Sequence, residues 1–180
     1  MKRYIALLRG INVGGKNLIA MPQLKALWEK AGFEDVRTYI NSGNVIFSAV
    51  ETDALALQQK CRQAIAEEFR LDIAVAVISA EDWLEALAHA PAWWGDGGES
   101  KHNAIVVIPP APTASVLADI GAAKPEYEQV ACYGQVIFWS AWLKTFSHCR
   151  WAKVASSAVY NKITIRNANT AKRLGQLAAE

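Results

Sequence analysis

Apolar residues along the chain follow two patterns, one typical of strands and one of helices. Short unbroken apolar runs, such as residues 4–8, are typical of strands buried on both faces of a sheet. Segments such as residues 21–31 have apolar residues three or four positions apart, which indicates a helix with one buried face. In the first half of the chain these patterns predict strands at 4–8, 36–40, 45–48 and 73–78 and helices at 21–31 and 53–69. This β-α-β-β-α-β order is that of a ferredoxin-like unit.

The same order is predicted again in the second half. Strands are predicted at 102–108, 128–133, 136–140 and 163–165, and helices at 113–123, 150–161 and from about 169 onward. The pentapeptide at 43–47, Gly-Asn-Val-Ile-Phe, also resembles Gly-Gln-Val-Ile-Phe at 134–138. We therefore predict an α+β fold of two tandem ferredoxin-like units, an internal duplication with antiparallel sheets.

A connecting segment separates the two predicted units. Residues 80–101 begin with a short helix and continue into a loop that contains three glycines and the pair Trp93-Trp94. We expect the first unit at residues 1–79, the connection at 80–101, and the second unit with a C-terminal helix at 102–180.

Composition and charge argue against several classes of protein. The chain has 180 residues, 52% of them hydrophobic and 20% charged, which is enough for a sizeable core. A formal net charge of +2 provides no broad positive field and argues against a nucleic-acid partner. No apolar run approaches the roughly 18 residues that cross a bilayer, and no secretory signal is recognisable. We expect a cytoplasmic protein without a membrane partner.

The cysteines suggest neither a disulfide framework nor a metal site. Cys61, Cys132 and Cys149 are odd in number, far apart in sequence and without a C-x-x-C pair. This arrangement favours reduced thiols over disulfides or zinc ligands. The sequence leaves both the cofactor and the oligomeric state open.

The leading candidate for a binding site is the glycine-rich loop, residues 9–17, which follows the first strand. It reads Arg-Gly-Ile-Asn-Val-Gly-Gly-Lys-Asn and combines three glycines with two cations and two amides. Backbone N–H groups and positive charge directed at one point suit an anionic ligand. Its candidate ligand-binding residues are Arg9, Asn12, Gly14, Gly15 and Lys16. The alternative is a tight loop whose asparagines bind their own backbone and whose lysine faces solvent.

The glycine-rich loop matches the spacing of a phosphate-binding P-loop but not its chemistry. Gly10 to Lys16 fits G-x-x-x-x-G-K, whereas Asn17 stands where a P-loop has the hydroxyl that binds Mg²⁺. The next helix begins only near Met21, and the predicted hairpins indicate an antiparallel sheet rather than a parallel one. We therefore do not expect a P-loop.

A second polar segment, the polar turn at residues 41–44, is expected beside this loop. The first two strands of a ferredoxin-like unit run parallel, so the segments that follow them leave the same end of the sheet. The turn reads Asn-Ser-Gly-Asn, which makes Ser42 and Asn44 candidate ligand contacts. The alternative is a plain hairpin turn. Ser42 lacks the G-x-S-x-G setting of a nucleophile, so we do not expect it to act as one.

Arg166 and Asn167 form a third candidate group, between a short strand and the last helix. The N-terminus of that helix carries partial positive charge, which favours an anion nearby. Asn169 or Thr170 is expected to cap the helix. The alternative is a capping motif in which Arg166 pairs with a surface carboxylate.

Three ordered stretches resemble the signature motifs of a bacterial family. They are Arg-Gly-Ile-Asn-Val-Gly-Gly at 9–15, Thr-Tyr-Ile-Asn-Ser-Gly-Asn at 38–44 and Thr-Ile-Arg-Asn-Ala-Asn-Thr at 164–170. The chain is similar over essentially its whole length to the family called domain of unknown function 1697. The resemblance implies two β-α-β-β-type repeats and assigns no activity, substrate or cofactor. Ala168 departs from the tryptophan expected between the two asparagines.

These patterns favour a protein that binds a small anionic ligand, such as a nucleotide or a phosphorylated metabolite. The second hypothesis is an enzyme acting on a phosphoryl or acyl group by electrostatic stabilisation, although the motifs contain no general base. The third is an interaction or nucleic-acid-binding module, for which the local cations are few.

Overall fold

The computed structural model describes residues 1–95 and 97–180. In this part of the chain the strands are β1 (Lys2–Leu8), β2 (Glu34–Tyr39), β3 (Asn44–Ala49), β4 (Val75–Ser79), β5 (Ser100–Val107), β6 (Glu128–Tyr133), β7 (Val136–Trp142) and β8 (Ile163–Asn167). The α-helices are α1 (Met21–Lys30), α2 (Ala54–Phe69), α3 (Ala80–Ala88), α4 (Thr113–Ile120) and α5 (Ala168–Ala179). Shorter 3₁₀ segments lie at Leu143–His148, Trp151–Ser156 and Ala158–Lys162.

The chain forms two compact units, each with its own four-stranded sheet. The first unit consists of Met1–Trp83 with Leu174–Glu180, and the second of Leu84–Arg173. The strand orders are β2-β3-β1-β4 and β6-β7-β5-β8, with every neighbouring pair antiparallel. Both are the order of a ferredoxin-like sheet, which confirms the predicted α+β fold of two tandem units.

The core of the first unit lies between one face of its sheet and helices α1 and α2. Alternate residues of the central strands, such as Tyr4 on β1 and Phe47 on β3, face this core, as the two-residue period of a strand requires. Trp28 of α1 and Ile65 of α2 are fully buried against them. Ile5, on the other face of β1, is also fully buried, so β1 is covered on both sides as its apolar run predicts.

The core of the second unit contains Trp139 of β7, Val116 of α4 and Trp151 of a 3₁₀ segment. Here the prediction of one helix over 150–161 is wrong, because two 3₁₀ segments, Trp151–Ser156 and Ala158–Lys162, occupy this stretch.

Two serines explain the interruption of that predicted helix. The hydroxyls of Ser156 and Ser157 donate hydrogen bonds to the carbonyls of Lys153 and Val154, at 2.9 and 2.7 Å. Serine side chains that bond to nearby carbonyls in this way compete with the continuation of a helix. The apolar spacing therefore identified which residues are buried but not the type of helix.

The three cysteines are free thiols, and only Cys132 is exposed. Burial raises the pKa of Cys61 to about 12 and also raises the pKa of Cys149. Because the thiolate is the reactive form, we expect one thiol per chain to react with Ellman's reagent in the native protein and all three after unfolding in guanidinium. Equal reaction rates of all three in the native protein would contradict this.

The same burial predicts a loss of stability at high pH. The pKa of Cys61 is about 12 in the folded state, whereas in the unfolded chain the thiol has its ordinary pKa of 9.0. The contribution of Cys61 to stability is therefore complete below about pH 9 and is lost as the pH rises toward 12. Urea unfolding measures this effect. Between pH 8 and pH 10 the free energy of unfolding should fall more for wild type than for Cys61→Ala.

Candidate functional site

The glycine-rich loop closes on itself as a small hairpin. The backbone N–H of Lys16 donates to the carbonyl of Val13 at 3.1 Å, and these two residues form an isolated β-bridge. Gly14 and Gly15 between them have φ angles of 59° and 71°, which a two-residue hairpin turn of this kind requires and glycine adopts without strain. The loop therefore does not lead from a strand directly into a helix as a P-loop does.

Two asparagine side chains hold the base of this hairpin. The side-chain amide of Asn12 donates to the carbonyls of Ile19 and Asn41, each at 2.8 Å, and its oxygen accepts the N–H of Ile19 at 2.8 Å. The amide of Asn17 donates to the carbonyl of Gly10 at 3.0 Å. The bond to Asn41 confirms that the glycine-rich loop and the polar turn are neighbours.

The polar turn is held by its own side chains. Asn44 is fully buried, and its amide donates to the carbonyl of Tyr39 at 2.8 Å and to the hydroxyl of Ser42 at 3.0 Å. The carbonyl of Gly43 accepts the N–H of Leu8 at 2.8 Å, which ties the turn to the end of β1. Ser42 and Asn44 therefore organise the turn through bonds within the protein.

The exposed tip of the loop carries both charge and apolar surface. Lys16 is exposed and forms no ion pair within residues 1–95 and 97–180. Three apolar side chains on or beside the two segments are exposed: Val13 in the loop is 66% exposed, Leu18 directly after it 69%, and Ile40 directly before the polar turn 47%. Arg9, at the base, is half-buried, and its backbone N–H donates to the carbonyl of Ala74 at 3.0 Å.

Arg166 and Asn167 belong to the second unit, at the end of β8. Arg166 is only 7% exposed, and its guanidinium donates to the hydroxyl of Thr164 and the carbonyl of Ile165, both at 2.9 Å. Burial lowers its pKa to about 10. The side chain of Asn167 accepts the N–H of Thr170 at 2.8 Å, so Asn167 caps α5. The expectation that Asn169 or Thr170 caps this helix is wrong.

A hydroxyl–imidazole pair in the second unit was not singled out by the motifs. His102 on β5 and Ser140 on β7 are register partners, and the imidazole Nδ1 lies 2.5 Å from the serine Oγ. They line a cavity of about 310 Å³ together with the aromatic rings of Trp93 and Trp142. The Nε2 atom of His102 is buried and has no hydrogen-bond partner among the described residues.

Among the described residues, this pair has no third member of a catalytic triad. Glu128 also borders the cavity, but its carboxylate is occupied by N–H groups of Lys124, Arg150, Trp139 and Trp151. A triad needs an acid that orients the imidazole through its second nitrogen, and that nitrogen is the unpartnered Nε2. The described residues therefore do not form a Ser-His-acid triad at this pair.

The described part of the chain contains neither a cluster of metal ligands nor a helix that could span a membrane. Among residues 1–95 and 97–180, no group of three or more histidine, cysteine or acidic side chains is placed to hold a metal ion. None of the helices within these residues has both the length and the hydropathy to cross a membrane.

Comparison with known proteins places the chain among proteins without an assigned activity. Its structure is similar to that of the conserved bacterial protein SP0830 from Streptococcus pneumoniae, with 29% sequence identity and a TM-score of 0.90. That similarity covers 100% of this chain and 99% of the other. No curated protein matches the chain in sequence. Residues 1–138 match the model of the family described as "Protein of unknown function (DUF1697)". The chain therefore belongs to the DUF1697 family.

Proposed function

We propose that the tip of the glycine-rich loop binds a small anionic ligand that also has an apolar part, such as a nucleotide or a phosphorylated metabolite. The observation that carries this proposal is the position of Lys16 on an exposed hairpin whose base is fixed by Asn12. A loop whose base is fixed by hydrogen bonds loses little backbone freedom when a ligand binds, which favours affinity.

The candidate residues divide into contacts and supports. Lys16 and the backbone N–H groups of Gly14 and Gly15 are the proposed contacts, because no described residue accepts a hydrogen bond from these two N–H groups. The supports are Asn12, Ser42 and Asn44, whose side chains hold the loop and the turn. Arg9 adds positive charge at the base of the loop. Arg166 and Asn167 belong to the second unit, and ligand binding by them stays a separate prediction.

The apolar part of the ligand follows from three exposed side chains, in the loop, directly after it and directly before the polar turn. Val13, Leu18 and Ile40 present apolar surface that a base or another flat group would remove from water. An exposed ion pair contributes at most about 1 kcal/mol, so a single lysine does not provide useful affinity alone. We therefore expect weak binding in which charge and apolar contact both contribute. A cytoplasmic location, where such ligands are abundant, is part of the proposal.

Calorimetric titration with AMP and with inorganic phosphate tests this proposal. We expect AMP to bind more tightly than phosphate, and Lys16→Ala to weaken both by about threefold to fivefold through loss of an exposed ion pair. Leu18→Ser should weaken only AMP. The matched control is Lys144→Ala, an exposed lysine of the second unit that forms no ion pair with a described residue. Affinities that are equal in wild type and Lys16→Ala would rule the site out.

A further inference from the structure

A second cavity in the second unit combines positive charge with an apolar lining. It measures about 340 Å³ and lies where the end of α4 meets the last two 3₁₀ segments. We call it the basic cavity, and its lining includes Ile120, Lys124, Arg150, Lys153, Val154 and Val159. The one acidic lining residue, Asp119, is already paired with Lys162 at 3.1 Å. The cavity therefore has an excess of positive charge above apolar side chains.

Two of its cations are positioned by one buried carboxylate. Glu128 is only 2% exposed, and its Oε1 accepts the backbone N–H groups of Lys124 at 3.2 Å and Arg150 at 2.8 Å. These two residues, distant in sequence, are thus held at the same place. Glu128 binds their backbones and forms no ion pair with either side chain; the ammonium of Lys124 donates to the carbonyl of His148 at 2.9 Å, which leaves its charge unneutralised.

The side chain of Arg150 is further fixed by α4 and the residues after it. Its NH1 donates to the carbonyl of Ala122 at 2.8 Å, and a β-carbon on Gly121 would come within 3.0 Å of the same atom. The absence of a side chain at Gly121 therefore makes room for the guanidinium. No ion pair involves Arg150 or Lys153 in the part of the chain that the structure describes.

We propose that the basic cavity binds a small organic acid, meaning an oxyanion attached to an apolar group. A guanidinium with unused N–H donors matches the geometry of a carboxylate or phosphate, and Lys153 adds a second, mobile cation. The apolar part of the ligand packs on Ile120, Val154 and Val159. The volume is within the range of small-molecule sites. This site is independent of the glycine-rich loop, which belongs to the first unit.

Phenyl phosphate is a suitable probe because its two halves can be tested separately. Titrations followed by NMR should show phenyl phosphate binding at least tenfold more tightly than either inorganic phosphate or phenol. The backbone amides that shift should include those of residues 119–124 and 153–159. Equal binding of phenyl phosphate and inorganic phosphate would overturn the proposal, as would shifts confined to other parts of the chain.

Variants of the two free cations complete the test. Lys153→Gln changes an exposed residue and should weaken phenyl phosphate binding about fivefold without altering the melting temperature. Arg150→Lys keeps the charge but not the guanidinium fork, and should weaken binding more than Lys153→Gln does. Lys144→Gln and Lys16→Ala serve as controls that leave this site intact. Binding within twofold of wild type in both cavity variants would refute the site, whatever the outcome at the glycine-rich loop.

Discussion

Glu128→Gln is expected to lower the free energy of unfolding by about 3 kcal/mol or more. The carboxylate is buried and accepts four N–H groups, of which two belong to the backbones of Lys124 and Arg150. The other two are the indole N–H of Trp139 and the backbone N–H of Trp151, each 3.0 Å from Oε2. Glutamine has one acceptor oxygen, so its amide would face two N–H groups that then lack an acceptor.

Urea unfolding followed by tryptophan fluorescence measures this loss, because two of the donors are tryptophans in the same core. The matched control is Glu126→Gln, an exposed glutamate two residues earlier, which should change stability by less than about 0.5 kcal/mol. A Glu128→Gln variant as stable as the Glu126→Gln control would show that the four bonds do not stabilise the second unit.

Gly43→Ala is expected to destabilise the first unit by about 3 kcal/mol, through backbone strain and steric overlap together. Gly43 has a φ angle of 81°, which side chains of L-residues rarely adopt. A β-carbon there would lie 2.7 Å from Cδ1 of Ile11 and 2.8 Å from Cβ of Leu8. Both neighbours are fully buried, so neither can move aside without disturbing the core.

Gly14→Ala separates these two causes. Gly14 also has a positive φ angle, 59°, but a β-carbon there meets nothing within 4 Å. Because only backbone strain acts in this variant, we expect its free energy of unfolding to fall by only about 1 kcal/mol. Urea titrations of the two variants, compared with wild type, give the steric part by difference. Equal losses in both would mean that the close approach of Gly43 to Ile11 and Leu8 costs nothing.

The predicted fold was correct where local pattern and burial agree. The run at 4–8 is apolar throughout, and β1 is a central strand covered on both faces. The order of elements then determined that the glycine-rich loop and the polar turn lie together, which the bond between Asn12 and Asn41 confirms. Both results follow from the order of the strands along the chain and from the periodicity of apolar residues, and both properties are present in the sequence.

The prediction failed where a hydrogen bond of a side chain only three residues away decides the local structure. At 150–161 the spacing of Trp151 and Val154 suits a helix, but hydroxyls of Ser156 and Ser157 take carbonyls that a helix would use. At the last helix several polar residues were suitable caps, and only the geometry shows that Asn167 accepts the N–H of Thr170. Alternative caps differ in free energy by only about 1 kcal/mol, so the packing around the end of the helix decides which residue caps it.

The sequence by itself determined the class of fold, the duplication and the loop on which a ligand site is proposed. Only the tertiary structure decided the roles of individual side chains. Asn12 and Asn44 support the loop and the turn, and Arg166 is buried. His102 and Ser140 lie within hydrogen-bond distance of each other. The tertiary structure also assembled the basic cavity from residues within 119–159, two of which are held through their backbones by the carboxylate of Glu128. The physical reason is that periodicity records burial, which is local to an element. Hydrogen bonds between distant residues depend instead on strand register and on packing, which no single stretch of sequence encodes.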